Sequence, residues 1–377
     1  MRRVDKLLLT LVAVLVMSVL LTGGLAVYLT LARGGGEAGE AAPMEPSLSP
    51  AAMPEPRIAF VSDQEGEAAI FVMEADGSDQ HRVSGEDQGL CLFPSWSPDG
   101  SRVAYLELSE QGRGGVWVTR LDGTMPFSVS PPIAGAPLRE IDAVPPAWSL
   151  DGTQLAYVTL GQSSRTALEI ARADGGGIEY SVPLTGHVAE DLRRSPVDER
   201  YLIVGPPEVG ESDVYTLSTE SEGPSLIMTG TTAADWSPDG RRIAVAEQAS
   251  RSVLVVQMGG EVRLLAQFST TPIDVRWSPD GRLMAVVAAG SVRQGYGDAL
   301  HVVDVADGAI TSLVDGEAWA GWPEWSSDGK RLLFTRGPLI RRSGLPYGDL
   351  WVYDVVSGDL DQLTAQQGFA GLGAWSP

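Results

Sequence analysis

Trp-Ser-Pro-Asp-Gly, verbatim or altered, recurs along this 377-residue chain and constrains its fold more than any other feature. The copies begin at Trp96, Trp148, Arg194, Trp236, Trp277, Trp325 and Trp375. Consecutive copies lie 41 to 52 residues apart, which is the period expected of propeller blades. The repeat therefore predicts an all-β, seven-bladed β-propeller.

Each copy begins a similar run of predicted strands. In the copy at Trp236, the Pro-Asp-Gly turn precedes an alternating strand at residues 242–245, and a second β-rich strand follows at residues 253–255. The Gly259-Gly260 pair then favours a tight hairpin, because glycine accepts positive φ. The segment that carries the tryptophan is taken as strand A, the innermost strand. Every repeat then supplies four strands, A to D, which form one blade.

The two ends of the repeat region complement each other. Residues from Arg57 onward supply strands B, C and D without a preceding strand A, whereas the chain ends in a strand A at Trp375. The C-terminal strand is therefore predicted to pair with the N-terminal strands, which closes the ring and removes open sheet edges. The predicted propeller spans residues 57–377 and is expected to be monomeric.

The repeat resembles that of the TolB-type, WD-like propeller family, in which Trp-Ser-Pro-Asp-Gly precedes a strand of the form Arg-Ile-Ala-Phe. In this chain, residues 242–245 read Arg-Ile-Ala-Val directly after the copy at Trp236. The resemblance covers nearly the whole chain after residue 56 and implies a propeller fold. It does not include the α/β domain that precedes the propeller in TolB itself, so it implies no particular function.

The N-terminal region is predicted to cross a membrane. Residues 7–32 contain no charged side chain, and a helix of that length covers about 39 Å, more than a bilayer core of roughly 30 Å. Arg2, Arg3 and Lys6 precede this run, which favours a cytoplasmic N-terminus at residues 1–6. We therefore predict a single-pass transmembrane helix with the propeller periplasmic or extracellular. A cleaved signal peptide is the alternative.

The composition of the remaining chain limits how the propeller is held and what it binds. Residues 33–56 are rich in Gly, Ala, Glu and Pro, which is typical of an extended linker. The chain has 49 acidic and 27 basic residues, and its formal net charge of −22 argues against nucleic-acid binding. Cys91 is the only cysteine, so no intrachain disulfide supports the fold.

The sequence lacks the catalytic patterns that we sought. His81, His187 and His301 fall in different predicted blades, so no histidine pair has metal-ligand spacing, and His301 occupies a packing position of strand C. Neither a Gly-x-Ser-x-Gly elbow nor a phosphate-binding loop occurs. We therefore predict no catalytic residue, no metal and no cofactor, and we expect the chain not to be an enzyme.

The repeated residues are predicted to be structural. A tryptophan that recurs at one register in successive blades fills the same packing position each time. The repeated aspartates are expected to accept backbone N–H groups in the turns between strands A and B, as aspartate commonly does in turns. The aspartates in question are Asp99, Asp151, Asp239, Asp280 and Asp328.

Loop length varies on one predicted face of the ring only. The long connections join strand B to C or strand D to A, and repeat proteins often bind partners through loops inserted on one face. In blades 6 and 7 these loops carry the aromatic and arginine residues that are enriched at protein interfaces. We call this set the loop surface: Arg293, Tyr296, Trp319, Trp322, Arg336, Arg341, Arg342 and Tyr347. The alternative is that the tryptophans pack beneath the loops and the arginines pair with Asp298, Glu317 and Asp349.

Taken together, these features favour a membrane-tethered extracytoplasmic propeller that binds a protein or peptide partner, or serves as a scaffold, without chemistry of its own. A carbohydrate-binding propeller or a polysaccharide lyase is the rival hypothesis. A lyase requires a charged base or a metal cluster at the channel mouth, whereas a saccharide-binding site requires flat exposed aromatic rings. A regulatory subunit of an enzyme cannot be separated from the first hypothesis by sequence.

Overall fold

The computed structural model describes residues 56–108, 113–124, 126–131, 133–134, 144–160, 166–184, 187, 189–206, 212–220, 223–290, 298–314, 318–338, 348–365 and 368–377. The predicted cytoplasmic segment 1–6, transmembrane helix 7–32 and linker 33–56, apart from Pro56, lie outside these residues. Within the described part of the chain, no helix is long and apolar enough to cross a bilayer. The three N-terminal segments therefore stay predictions from the sequence.

The described residues form β-strands joined by turns and loops. The strands of the first half are β1 (Arg57–Ser62), β2 (Ala69–Glu74), β3 (His81–Arg82), β4 (Leu90–Trp96), β5 (Arg102–Leu108), β6 (Arg113–Arg120), β7 (Phe127–Ser128), β8 (Ile133–Ala134), β9 (Ala147–Trp148), β10 (Gln154–Leu160), β11 (Thr166–Arg172), β12 (Ile178–Pro183), β13 (Asp191–Arg194) and β14 (Arg200–Gly205). Those of the second half are β15 (Asp213–Ser218), β16 (Ser225–Met228), β17 (Thr231–Trp236), β18 (Arg242–Glu247), β19 (Ser252–Gln257), β20 (Val262–Gln267), β21 (Pro272–Trp277), β22 (Leu283–Ala288), β23 (Ala299–Asp304), β24 (Ile310–Val314), β25 (Trp319–Trp325), β26 (Arg331–Gly337), β27 (Asp349–Asp354), β28 (Leu360–Gln362) and β29 (Ala370–Trp375).

These strands form seven antiparallel sheets, which are the blades. Blade 1 has the order β29-β1-β2-β3, and blades 2 to 7 start with β4, β9, β13, β17, β21 and β25 as strand A. In blade 2, β8 adds a fifth strand by pairing with β6. The register of β29 with β1 runs from Trp375 opposite Ile58 to Ala370 opposite Ser62. The predicted seven-bladed propeller and its closure by the C-terminal strand are both confirmed.

Strand A is the innermost strand of each blade. Each strand A contacts the strand A of both neighbouring blades, so the seven strands surround a central channel. Around them, buried side chains form seven hydrophobic clusters, one at each junction between blades. At the junction of blades 4 and 5, for example, Leu202 and Val214 pack with Trp236 and Ile243. The ring is therefore stabilised by apolar burial between blades.

The turn between strands A and B is the same in the five blades that keep a Ser-x-Asp-Gly segment. In blade 5, the Asp239 carboxylate accepts hydrogen bonds from the Ser237 hydroxyl and, at 3.1 Å, from the Arg241 backbone N–H. Gly240 follows with a φ of 63°, a left-handed conformation that glycine adopts without strain. Equivalent backbone bonds are made by Asp99, Asp151, Asp280 and Asp328. The predicted role of these aspartates is confirmed.

The repeated tryptophans join neighbouring blades. Their exposed fractions lie between 4% and 8%. The Trp236 indole N–H donates to the Arg193 carbonyl of blade 4 at 3.3 Å, and the Arg200 guanidinium lies over the same ring, 4.9 Å from its centroid. Equivalent indole bonds are made by Trp96, Trp148 and Trp325. The predicted packing role is confirmed, and blade 4 departs from it by carrying Arg194 at the tryptophan position.

Candidate binding channel

The central channel contains a cavity of about 810 Å³, which lies in the range of volumes typical of ligand pockets. Every blade contributes to its wall a residue one or three positions before the repeated tryptophan, or before Arg194 in blade 4. The tryptophan position is nearly uniform around the ring, whereas these two positions differ from blade to blade. The chemical character of the channel wall therefore depends on residues outside the repeated motif.

The residue types at these positions divide the channel into two walls. Blades 4 to 7 carry charged side chains at these positions, which we call the ionic wall: Asp191, Arg193, Asp235, Asp274, Arg276 and Glu324. All of them except Asp235 line the cavity. Blades 7, 1 and 2 supply bulky apolar side chains, which we call the apolar wall: Trp322, Leu372 and Phe93. Blade 7 contributes to both walls, because Trp322 and Glu324 are two residues apart on β25. The channel is thus polar on one side and apolar on the other.

Both guanidinium groups of the ionic wall are held by carboxylates. The Arg193 Nε atom lies 3.0 Å from Asp191 Oδ2, and Arg276 Nη1 lies 2.5 Å from Asp274 Oδ1. Arg276 Nη2 also lies 4.0 Å from Asp191 Oδ2, which links the two pairs across blades 4 and 6. These four side chains are 12% to 24% exposed, so solvent in the channel reaches them. With four carboxylates and two guanidinium groups, the fully ionised wall carries two surplus negative charges.

Burial shifts the pKa values of the ionic wall. It raises the pKa of Asp235 to about 7, against the opposing charge of Arg193, and it raises the pKa of Asp274 and of Glu324 above their ordinary values. Burial also lowers the pKa of Arg193, but the carboxylates, led by Asp191, outweigh it and leave that pKa above its ordinary value. Arg193 therefore stays charged, whereas Asp235 exchanges a proton near neutral pH.

The apolar wall is built from strained backbone. Phe93, Trp322 and Leu372 have φ values of 54°, 52° and 50°, a left-handed conformation that costs a bulky residue of order 1–3 kcal/mol. Each lies where the register of strand A shifts against strand B. Trp322 also packs edge-on against Trp319 and Phe369, with ring centroids 5.5 Å and 6.0 Å away. Bulges in three consecutive blades thus place a large apolar side chain on the channel.

The described residues include three members of the predicted loop surface. Trp319 is 4% exposed, Trp322 is half-buried, and both line the cavity. Arg336 lies over the ring of Trp351, with its guanidinium carbon 5.0 Å from the centroid. The remaining members lie outside the described residues: Arg293, Tyr296, Arg341, Arg342 and Tyr347. Binding by the loop surface stays a prediction.

The ionic wall was missed by reasoning from the sequence. Its signal was present, because the residue before the repeated tryptophan is Ser95, Ala147 or Ala374 in blades 2, 3 and 1 but charged in blades 4 to 7. A charged side chain on an innermost strand is unusual, since charges are rarely placed within a fold unless they are paired. Comparing the copies one position upstream of the motif would have found it.

The histidines do not form a site in the part of the chain that the structure describes. His301 packs against Phe268, with ring centroids 5.4 Å apart, and its Nδ1 atom lies 2.8 Å from the Ser312 hydroxyl, so its predicted packing role is confirmed. His81 bridges blades 1 and 2, with Nε2 placed 3.0 Å from the Leu121 carbonyl oxygen. Among the described residues, no three His, Cys, Asp or Glu side chains are arranged to hold a metal ion.

Comparison with known proteins supports the resemblance suggested by the repeat. The chain matches no protein-family model. The Tol-Pal system protein TolB of Alcanivorax borkumensis is 32% identical over 104 residues, which are 26% of this chain and 22% of that protein. The chain thus spans about a fifth of the length of this curated relative.

Solved structures share the fold across most of the chain. TolB from Acinetobacter baumannii superposes with a TM-score of 0.51 at 16% identity, covering 85% of this chain and 66% of that one. A puromycin hydrolase gives 0.60 at 15% identity over 84% of this chain and 53% of its own. An oligogalacturonate lyase in complex with manganese gives 0.58 at 15% identity, with 78% and 85% covered. The TolB-like propeller is confirmed, and at these identities the likeness shows the fold alone.

Proposed function

We propose that this chain is a membrane-tethered, extracytoplasmic binding module that holds a segment of a protein partner in its channel and on its loop surface. The observation that carries the proposal is the two-sided channel of about 810 Å³, in which blades 4 to 7 present charges and blades 7, 1 and 2 present strained apolar side chains. Strain of this kind is commonly retained at ligand-binding positions.

The loop surface and the channel adjoin each other in this proposal. Trp319 and Trp322 belong to the predicted loop surface and also line the cavity, so a partner that contacts the long loops of blades 6 and 7 can extend into the channel. Aromatic and arginine side chains are the types on which interface energy concentrates. The loop surface would then supply affinity, and the channel would supply selectivity.

The predicted tether supports a location outside the cytoplasm. The uncharged run at residues 7–32 follows three basic residues, which favours an N-terminus in the cytoplasm and a propeller on the opposite side of the membrane. Protease added to intact spheroplasts should then degrade the propeller. A propeller that stays protected until the membrane is lysed would reverse this topology, and a mature N-terminus beyond residue 20 would show cleavage instead.

Partner capture tests the loop surface directly. Full-length chain carrying Arg341→Ala, Arg342→Ala and Tyr347→Ala should lose cross-links to the partner in intact cells, while its thermal unfolding stays within the change of about 0.5 kcal/mol usual for surface substitutions. The matched control replaces two exposed arginines and one exposed tyrosine elsewhere on the ring, Arg241, Arg282 and Tyr180, by alanine. Equal cross-linking by both variants would remove the loop surface from the proposal.

A second candidate function is favoured by one observation. The ionic wall is a cluster of carboxylates with two arginines in the channel, which is the kind of charged group that a polysaccharide lyase requires to remove a proton and to hold a sugar acid. The solved lyase of similar fold was determined in complex with manganese, whereas the described residues of this chain contain no group suited to a metal ion. Release of an unsaturated product from polygalacturonate by the wild-type chain, and not by Arg276→Ala, would establish this function.

A further inference from the structure

One carboxylate of the ionic wall lacks a direct hydrogen bond or ion pair in the described part of the protein, and only the charge of Arg193 attracts it at longer range. Arg193 and Arg276 are engaged by Asp191 and Asp274, whereas Glu324 makes neither a hydrogen bond nor an ion pair with any described residue. It is half-buried and lines the cavity. A carboxylate withdrawn from water without a donor is costly, unless a ligand supplies the missing positive group.

The position of Glu324 ties that charge to the apolar wall. Trp322 precedes it by two residues on β25, and Pro323 between them also lines the cavity. Leu372 and Phe93 continue the apolar wall on blades 1 and 2. A ligand that satisfies Glu324 is therefore adjacent to apolar surface on one side and to the engaged arginines of the ionic wall on the other.

We propose that the channel binds an extended peptide in which a lysine or arginine side chain is next to an aromatic or branched aliphatic one. The cationic group would pair with Glu324, and the apolar side chain would lie against Trp322, Leu372 and Phe93. This inference rests on the proposed peptide-binding function and specifies its ligand. It concerns the side-chain chemistry of the peptide, which the loop surface does not determine.

Charge complementarity favours a cationic ligand over an anionic one. Both guanidinium groups already pair with carboxylates, and the fully ionised wall retains two surplus negative charges. An anion would have to displace Asp191 or Asp274 from its arginine, or Glu199 from Arg194, from which it lies 3.6 Å away. A cation instead meets a carboxylate that makes no direct ion pair. Buried pairs of this kind discriminate by leaving the wrong ligand without a partner.

The dimensions of the channel favour an extended peptide. The cavity lining runs from Thr232 and Ile273, at the start of strand A in blades 5 and 6, to Ser97, Pro98 and Pro377, beyond its end in blades 2 and 1. Strand A contains six residues in blades 5 and 6, which corresponds to about 20 Å at roughly 3.3 Å per residue. A peptide strand of similar length fits along that axis.

The same geometry makes binding depend on pH. The charged groups around the site are Glu190, Asp191, Arg193 and Arg194 on or next to β13, Asp235 on β17, Asp274 and Arg276 on β21, Asp298 before β23, and Glu324 on β25. Burial raises the pKa of Glu324 above its ordinary value, so a proton competes with the cationic ligand for this carboxylate. Affinity for the cationic peptide should therefore fall as pH is lowered and Glu324 binds that proton.

Selection from a displayed library of random linear peptides on the immobilised full-length chain tests the inference. The wild-type chain should enrich peptides with Lys or Arg beside an aromatic or aliphatic residue, and Glu324→Gln should remove the basic preference but keep the apolar one. Phe93→Asn should do the reverse, because asparagine accepts the left-handed φ of that position. Glu261→Gln, an exposed residue on the outer part of blade 5, is the matched control and should leave both preferences unchanged.

Affinities of synthetic peptides complete the test. Norleucine in place of the lysine of an enriched peptide should weaken binding to the wild-type chain about tenfold or more, and should have little effect with Glu324→Gln. Enrichment of acidic peptides, or a basic preference that persists in Glu324→Gln, would overturn the inference and leave peptide binding standing. The absence of any enriched peptide would overturn both the inference and the proposed peptide binding.

Discussion

Aspartate occupies two contrasting environments in this propeller, the turns between strands A and B and the ionic wall of the channel. In the turns, the hydroxyls of Ser97 and Ser149, assisted by backbone N–H groups, lower the pKa of Asp99 and of Asp151 to about 2. In the channel, burial raises the pKa of Asp235 to about 7. The same side chain is thus stabilised as a carboxylate at the rim and destabilised as a carboxylate inside the ring.

The contrast separates residues that build the propeller from residues that select its ligand. The turn aspartates recur in five blades with the same bonds, so their role is set by the repeat and is independent of position around the ring. The channel carboxylates are confined to blades 4 to 7, and nothing in the repeat requires them. We infer that the uniform positions build the propeller and that the positions differing between blades determine what it binds.

Removal of the closing strand should have the largest effect on stability, because it opens the ring that the repeated positions build. Deleting residues 371–377 removes most of β29 from β1, and with it the hydrogen bond of 2.8 Å from the Arg57 N–H to the Ser376 hydroxyl oxygen. It also removes Trp375, over which Arg331 lies 4.6 Å from the ring centroid. The free energy of unfolding should fall by more than about 4–5 kcal/mol, a value that single substitutions rarely reach. Chemical denaturation of the full-length and shortened chains measures it, and equal midpoints would contradict the closure argument.

The division between uniform and variable positions also explains what the sequence could and could not predict. Seven blades, the closing strand and the turn aspartates follow from residues that recur at fixed spacing, so one sequence contains several independent copies of the signal. The ionic wall depends on which residues of different strands meet across the ring, for example Arg276 of blade 6 and Asp191 of blade 4. No local sequence pattern predicts such a contact between side chains of different blades. The apolar wall was inaccessible for a different reason, since register shifts at Trp322 and Leu372 cannot be derived from side-chain alternation.

Removal of a channel arginine should cause the next largest loss of stability. Arg193 compensates the charges of Asp191, Asp274, Asp235 and Glu324, so Arg193→Met leaves buried carboxylates with only Arg276 as a counter-charge. Breaking a buried pair by removing one partner costs roughly 3 kcal/mol or more, and we expect about that loss at pH 8. The loss should shrink at pH 5, where the carboxylates bind protons. A turn variant such as Asp239→Asn should show no such recovery at pH 5, which sharpens the contrast between the two environments.

The pH dependence of stability should have opposite signs in the two environments. The folded pKa of Asp235 is about 7 and the unfolded value is about 3.9, so between these values the native state binds more protons and its stability falls as pH rises through 7. For Asp99 and Asp151 the folded pKa is the lower one, so their contribution is lost only as pH falls from about 4 towards 2. Asp235→Asn should therefore gain stability relative to wild type between pH 5 and pH 8, on the order of 1–2 kcal/mol, and the two chains should be equally stable only near pH 4.

That comparison is measured by urea denaturation of both chains at pH 5, 6, 7 and 8. Asparagine can still accept the Trp277 backbone N–H that Asp235 accepts at 2.8 Å, so the substitution removes the titrating charge and keeps the hydrogen bond. The wild-type curve alone is not diagnostic, because a chain with a net charge of −22 loses self-repulsion as pH falls. The difference between the two chains isolates Asp235. A constant difference across this pH range would show that Asp235 is ionised throughout.

The smallest change in stability is expected for substitution of Glu324. The size of that change distinguishes a residue that binds a ligand from one that supports the fold. Glu324→Gln keeps the size of the side chain and removes a charge that makes no direct ion pair and that Arg193 attracts only at longer range. We expect the free energy of unfolding at pH 8 to rise by about 0.5 kcal/mol or to stay unchanged, because burial already disfavours the carboxylate. Calorimetric unfolding of the full-length chain and its Glu261→Gln control measures the difference. A loss above about 1 kcal/mol would mean that the carboxylate supports the fold, and Glu324 would then belong with the turn aspartates, not with the variable positions that we assign to binding.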